Sequence, residues 1–165
     1  MNAAATLPEQ PFPAPGHDHE ECMRDLLTHA RELCLKQGAE LTPHRRQVLE
    51  ILASSHQALG AYDILGRMGG HQRRLAPMVV YRALDFLMGL GLVHRLAGRS
   101  AYFACRRSHA EGEVQYWICQ RCLVVAETAA DSIAGAFPGV AEGLGFRVER
   151  VNIEIEGECP QCRAS

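Results

Sequence analysis

Two thiol pairs constrain this chain more than any other feature: Cys119 and Cys122 in "YWICQRCLVV", and Cys159 and Cys162 in "GECPQCRAS". Each Cys-x-x-Cys holds two sulfurs on one tight turn, and two such turns brought together make a tetrahedral four-thiolate zinc site. The 36 residues between the pairs exceed the usual ribbon spacing and leave room for an inserted helix and strand. Two other uses stay open: one pair can cycle as a redox disulfide, or the thiols can simply pack. Neither pair reads as opening a helix after a strand, the setting of thioredoxin-like redox sites.

Seven cysteines, an odd number, fit a reducing compartment better than a disulfide framework. No apolar run approaches the roughly 18 residues of a membrane span, and the opening "MNAAATLPEQPFPAPGHDHEE" lacks the basic region and apolar stretch of a signal peptide. The expectation is a cytoplasmic globular protein with no membrane partner. The net charge of -2 conceals an asymmetry. From Leu41 to Arg107 ten arginines face only Glu50, Asp63 and Asp85, a formal +7, and the remainder is acidic. Such a division suits an anionic polymer bound by one half, although an Arg-rich solvated surface would give the same count.

Hydropathy patterning divides the chain further. Residues 1–17, rich in proline and small side chains, read as a disordered tail; the tract "HDHEEC", which starts at its last residue, offers His17, His19 and Cys22, with a flexible tail a simpler reading than a metal site. Met23, Leu26, Leu27, Ala30, Leu33 and Cys34 recur at helical spacing over 18–37, stopped by Gly38. Thr42 before Pro43 predicts an N-cap for a second helix, and "AYDILGRM" a short third ended by Gly69 and Gly70. Pro77 opens the most regular helix, with Val80, Leu84, Leu87 and Leu90 as its apolar stripe, Gly91 as its stop, and Arg82 and Asp85 off the stripe. "LVHRL" and "SAYFAC" then predict a hairpin turning near Gly98.

Helices followed by a hairpin give a winged helix over 18–105, whose last helix enters a DNA major groove. A polar hinge at 106–112 leads to a smaller α/β domain at 113–165. There "VQYWIC" and "LVVAET" read as strands, 129–145 as one helix, and 146–157 as a long strand with a bulge near Arg150. The fold class is therefore α+β.

Four further groups have donor chemistry: His94 and Cys105 on the hairpin, His109 in the hinge, and Glu127 in the strand after the first thiol pair. Nitrogen, sulfur, nitrogen and oxygen suit Zn(II), and the thiolate argues against Mg(II) or Mn(II). On spacing alone each also has an ordinary reading as a wing histidine, a buried cysteine, a linker histidine and a surface glutamate. No nucleophile, base and orienting group form a recognisable set, so no enzyme and no small organic substrate is expected.

The stretches "LTPHRRQVLEIL", "AYDIL", "VVYRALDFL" and "GLVHRL", followed by the two thiol pairs, resemble the ferric uptake regulator family of bacterial metalloregulators, with the zinc uptake regulator branch as the best match. The likeness covers residues 20–163. It implies a winged-helix DNA-binding domain, an α/β dimerisation domain, and a homodimer on palindromic double-stranded operator DNA that represses zinc uptake genes. It implies two Zn(II) per chain: a structural ion on Cys119, Cys122, Cys159 and Cys162, and a sensed ion on His94, Cys105, His109 and Glu127.

Tyr62 and Arg82 match the family's DNA-contacting positions, and Arg45, Arg46, Arg73, Arg74 and Arg99 are expected to neutralise phosphates. Helix packing for Tyr62 and an ion pair with Asp85 for Arg82 are the alternatives. Val79 stands where the family usually has threonine. Iron- or manganese-responsive regulation within the same family is the nearest alternative function, and a thiol oxidoreductase or a zinc-ribbon adaptor the alternatives from other classes. Only His109 remains of the histidine run that iron-sensing relatives carry before the first thiol pair.

Overall fold

The computed structural model describes Phe12 and residues 19–69, 75–105, 114–130, 135, 137–149 and 151–164. The tail expected over 1–17 lies outside the described residues except for Phe12, and the hinge expected at 106–112 lies wholly outside them. The chain divides into two compact units, Pro15–Ser108 (here the first) and His109–Ser165 together with Met1–Ala14 (the second).

In the first unit, α1 (His19–Lys36) buries Leu26, Ala30 and Cys34, one turn apart along a single face. It stops where Gly38 takes a left-handed φ of 62°, which lets the Ala39 N–H reach back to the Cys34 carbonyl at 2.9 Å. Helix α2 (Pro43–Ala53) starts where expected, but the Thr42 hydroxyl makes no capping hydrogen bond. Pro43 has no amide to satisfy and presets the helical φ, so this start depends less on a side-chain cap.

A two-residue strand, β1 (Leu59–Gly60), precedes α3 (Ala61–Arg67), and the Asp63 carboxylate accepts the Gly60 N–H at 3.2 Å. Helix α4 (Pro77–Gly89) places Val80, Leu84 and Leu87 in the core against Val48, Leu49 and Leu52 of α2. Leu90 falls at its C-cap and is only partly buried. Strands β2 (Val93–Arg95) and β3 (Ala101–Ala104) form the expected hairpin, to which β1 adds a third strand in the order β1-β3-β2, all antiparallel.

The second unit is built on β4 (Val114–Cys119), flanked by β5 (Val125–Ala129) running antiparallel and β6 (Ile153–Gly157) running parallel. A parallel neighbour requires a crossover, and α5 (Phe137–Gly143) lies within it. The described helix is shorter than the 129–145 read from sequence; residues 131–134 and 136 of that span lie outside the described residues.

The long strand expected over 146–157 is also shorter, starting only at Ile153. Its described pairing with β4 begins with Gln115 opposite Ile153. Arg150, where a bulge was expected, lies outside the described residues. A one-turn helix, α6 (Pro160–Arg163), follows β6 and was not anticipated. No helix among the described residues is long and apolar enough to cross a membrane.

Candidate functional site

The parallel pairing of β4 with β6 brings the two thiol pairs together across 36 intervening residues. Cys119 is the last residue of β4 and stands in register with Gly157, two residues before Cys159. The Gln120 N–H extends this pairing to the Gly157 carbonyl at 2.8 Å. The sulfurs of Cys119, Cys122, Cys159 and Cys162 all lie within 4.8 Å of one another, with Cys122 and Cys159 at 3.7 Å. A tetrahedron with Zn–S bonds of about 2.3 Å has edges of about 3.8 Å, so the sulfur cage has the size of that ion. Among the described residues this is the one group of three or more donors so gathered.

The backbone also prepares the cage for negative charge. The Cys159 N–H donates to Cys119 Sγ, and the Cys162 N–H to Cys159 Sγ, each at 3.4 Å. Burial alone would raise the Cys119 thiol, but N–H groups of Cys122, Cys159 and Arg121 and the Cys122 thiol outweigh it and lower the pKa to about 6. Cys162 is pushed up to about 12 by desolvation and by hydrogen bonds with the other thiols beside the Cys119 charge. Cys122 is also raised, first by desolvation. A lowered Cys119 thiol beside raised Cys122 and Cys162 thiols is a set prepared to exchange protons for a soft-tolerant dication.

Cys159 is also the N-cap of α6, directly after β6, contrary to the expectation that neither pair opens a helix after a strand. Pro160 at the first helical position starts that turn locally. The helix has only four residues, and its cap is the Cys159 sulfur accepting the Cys162 N–H.

Several residues missed by sequence reasoning clasp the two knuckles. The Arg121 guanidinium donates to the Cys162 carbonyl, and the Gln120 amide to Glu156 at 2.8 Å. Both are the intervening residues of the first pair, which a ligand-spacing argument treats as free. Leu123 follows the pair with φ 61°, and its N–H closes the turn on the Cys119 carbonyl at 2.9 Å. A left-handed non-glycine residue costs roughly 1–2 kcal/mol, so the knuckle holds it against its preference.

Of the second proposed ligand set, His94 and Cys105 belong to the first unit. His94 pairs with Phe103, and the Cys105 N–H donates to the Leu92 carbonyl at 2.9 Å, so strand alternation places His94 and Cys105 on the same face of the hairpin. The Cys105 side chain is buried, and the His94 ring lies 5.4 Å from that of Phe103. Glu127 belongs to the second unit, half-buried in β5 opposite Tyr116. His109 lies outside the described residues.

The groups expected to meet DNA separate into two kinds. Tyr62, the second residue of α3, is 71% exposed, which excludes the half-buried packing alternative. Arg82 is exposed on α4, and no ion pair joins it to Asp85 among the described residues. Arg99 is half-buried in the turn between β2 and β3. Arg45 is occupied within the fold: its guanidinium lies 3.4 Å from the Phe86 ring centroid and donates to the Glu40 carbonyl at 2.6 Å. Arg46 pairs with Glu50 at 2.7 Å. Arg73 and Arg74 lie outside the described residues.

Residues 36–156 match the Ferric uptake regulator family. The chain is 32% identical over 143 residues to the zinc uptake regulation protein of Escherichia coli (strain K12), covering 84% of this chain and 82% of that one. A solved zinc uptake regulator complexed with zinc and DNA superimposes with a TM-score of 0.77 at 30% identity, over 86% of this chain and 95% of its own. The crystal structure of holo XcZur gives 0.74 at 31% identity, over 87% and 99%.

Proposed function

The chain belongs to the ferric uptake regulator family, and we propose that within it this protein is a zinc-responsive transcriptional repressor that binds palindromic operator DNA as a homodimer and represses zinc uptake genes. The observation that carries this reading is the match, over 86% of the chain, to a zinc uptake regulator complexed with zinc and DNA. Tyr62 and Arg82 lie exposed on two helices of the Arg-rich first unit, as residues that approach a base edge must. Arg82 reads a guanine edge, and Tyr62 makes an apolar or phosphate contact.

Each chain takes two Zn(II). The four-thiolate cage holds one, which supplies a cross-link that a small unit needs in order to stay folded. His94, Cys105, His109 and Glu127 hold the other. Two of these donors come from the hairpin of the first unit and one from the second, so coordination by all four ties the units to one another. A coupling of about 1–3 kcal/mol between such a site and DNA changes operator affinity by several-fold to a hundredfold, and by linkage DNA tightens zinc binding equally.

The homodimer is supported by Phe137, Val140, Leu144, Phe146 and Val148, a run of exposed apolar side chains on and after α5. The protein acts in the cytoplasm, where the DNA is.

The test is a mobility shift with DNA selected from a random pool by the zinc-loaded protein, titrated with buffered free Zn(II), Fe(II) and Mn(II). Binding gated by Zn(II) at the lowest free-metal concentration is expected; gating by Fe(II) or Mn(II) instead overturns the zinc assignment. Cys105→Ser abolishes the zinc dependence while leaving a folded protein with one zinc per chain. Unchanged zinc dependence in that variant rejects the sensing set.

A further inference from the structure

The solvent face of α4 carries a residue that the function above does not use. Met78, Arg82, Asp85 and Gly89 are all exposed, at the i, i+4, i+7 and i+11 spacing opposite the buried Val80, Leu84 and Leu87. Met78 leads this face in the first turn, 56% exposed, with no side-chain cap at Ala76 and half-buried Val79 next in the chain. A large apolar side chain at the open N-terminal end of an otherwise polar helix face is poorly placed for water. It is well placed for an apolar feature of the surface that Arg82 meets.

In the major groove that feature is the thymine C5-methyl, the one apolar group on a base edge. N-terminal residues of a recognition helix are those that reach base edges. Methionine is unbranched and polarisable, so it can follow a methyl group without a fixed rotamer. Four residues of helix rise about 6 Å, close to two base-pair steps of about 3.4 Å each. Resting on the repressor reading above, we propose that Met78 reads a thymine methyl within about two base pairs of the guanine contacted by Arg82. An apolar contact at the head of the helix then takes a reading role where Val79 offers no hydroxyl.

The test uses the full-length, zinc-loaded chain and the operator it selects from a random pool. Each thymine of the half-site is replaced in turn by deoxyuridine, which removes only the methyl. Burial of one methyl predicts about a fourfold loss of affinity per half-site and about fifteenfold when both half-sites are changed. The loss is expected at one thymine, within about two base pairs of the guanine whose replacement becomes neutral in Arg82→Ala. In Met78→Ala, affinity for the thymine operator falls to that for the deoxyuridine operator, and the methyl dependence disappears.

The inference is overturned if no thymine methyl near that guanine matters, or if the methyl dependence survives in Met78→Ala. Met78 is exposed, so the variant keeps the core, and retained zinc-gated binding on the deoxyuridine operator confirms a working protein. Failure of the wild-type chain to select or shift any DNA with zinc overturns the repressor reading itself, a different and separately visible outcome.

Discussion

Withdrawing zinc from the four-thiolate cage is expected to unfold the second unit and leave the first folded. The magnitude follows from the chain between the knuckles. Cys122 and Cys159 are 37 positions apart, and tying a loop of that length restricts the unfolded chain by about 4 kcal/mol on the loop-entropy scale for cross-links. Coordination by four thiolates raises the contribution of a structural zinc to about 10–16 kcal/mol. The His109–Ser165 part of this unit commands about 3–9 kcal/mol at the usual stability per residue, so the loop term alone rivals it and the whole metal term exceeds it. Among the described residues the first unit supplies no ligand to this cage, and it keeps its own core around Leu49, Leu84 and Leu87. Trp117, the chain's single tryptophan, lies in β4, where its Nε1–H donates to Thr128 Oγ1 at 2.9 Å, so its emission reports the second unit alone. Chelation, with zinc content followed by atomic emission, should shift Trp117 fluorescence to the red while far-UV circular dichroism retains most of the helical signal. Unchanged Trp117 emission in protein verified to hold no zinc refutes the reasoning.

Arg82→Ala is expected to weaken specific DNA binding more than nonspecific binding, whereas Arg45→Ala, which removes the contact with the Phe86 ring and the bond to the Glu40 carbonyl, should lower the first unit's stability by about 1–2 kcal/mol. Mobility shifts on selected and random DNA, together with urea melts, separate the two effects. Because Cys122 and Cys162 are held above the ordinary thiol pKa in the metal-free cage, zinc uptake near pH 7 must expel their protons; affinity should rise with pH, and calorimetry in buffers of different ionisation enthalpy should register about two protons or more per zinc. Leu144→Glu places a charge in the exposed apolar run after α5 and should shift sedimentation from dimer toward monomer. An unaltered dimer would move the interface elsewhere.

The parts of the fold legible in the sequence are those fixed by local rules. Val80, Leu84 and Leu87 announce a helix because a 3.6-residue period has one buried face, and Gly38 and Gly91 mark ends because left-handed backbone favours glycine. The strand over 146–157 was misjudged for the complementary reason. Alternating residues can line a strand only where a neighbour offers a ladder, and among the described residues the pairing of β6 with β4 begins at Ile153 opposite Gln115. The two-residue β1 and the one-turn α6 are too short for a period to register; β1 exists because β3 pairs with it, and α6 because the Cys159 sulfur caps it.

The two proposed metal sites differ in the same way. Each thiol pair advertises itself through a spacing that one turn dictates, and their meeting follows from a single parallel register between β4 and β6. Nothing comparable links the other set. His94 and Cys105 share a face of one hairpin, which strand alternation explains, but Glu127 stands in a different unit, and no local period connects a carboxylate in β5 with an imidazole in β2. That set was assembled from donor chemistry and resemblance rather than from a spacing. Donors that lie in two separate compact units share no sequence spacing of their own. The four-thiolate cage, closed within one unit, is held by that unit's fold.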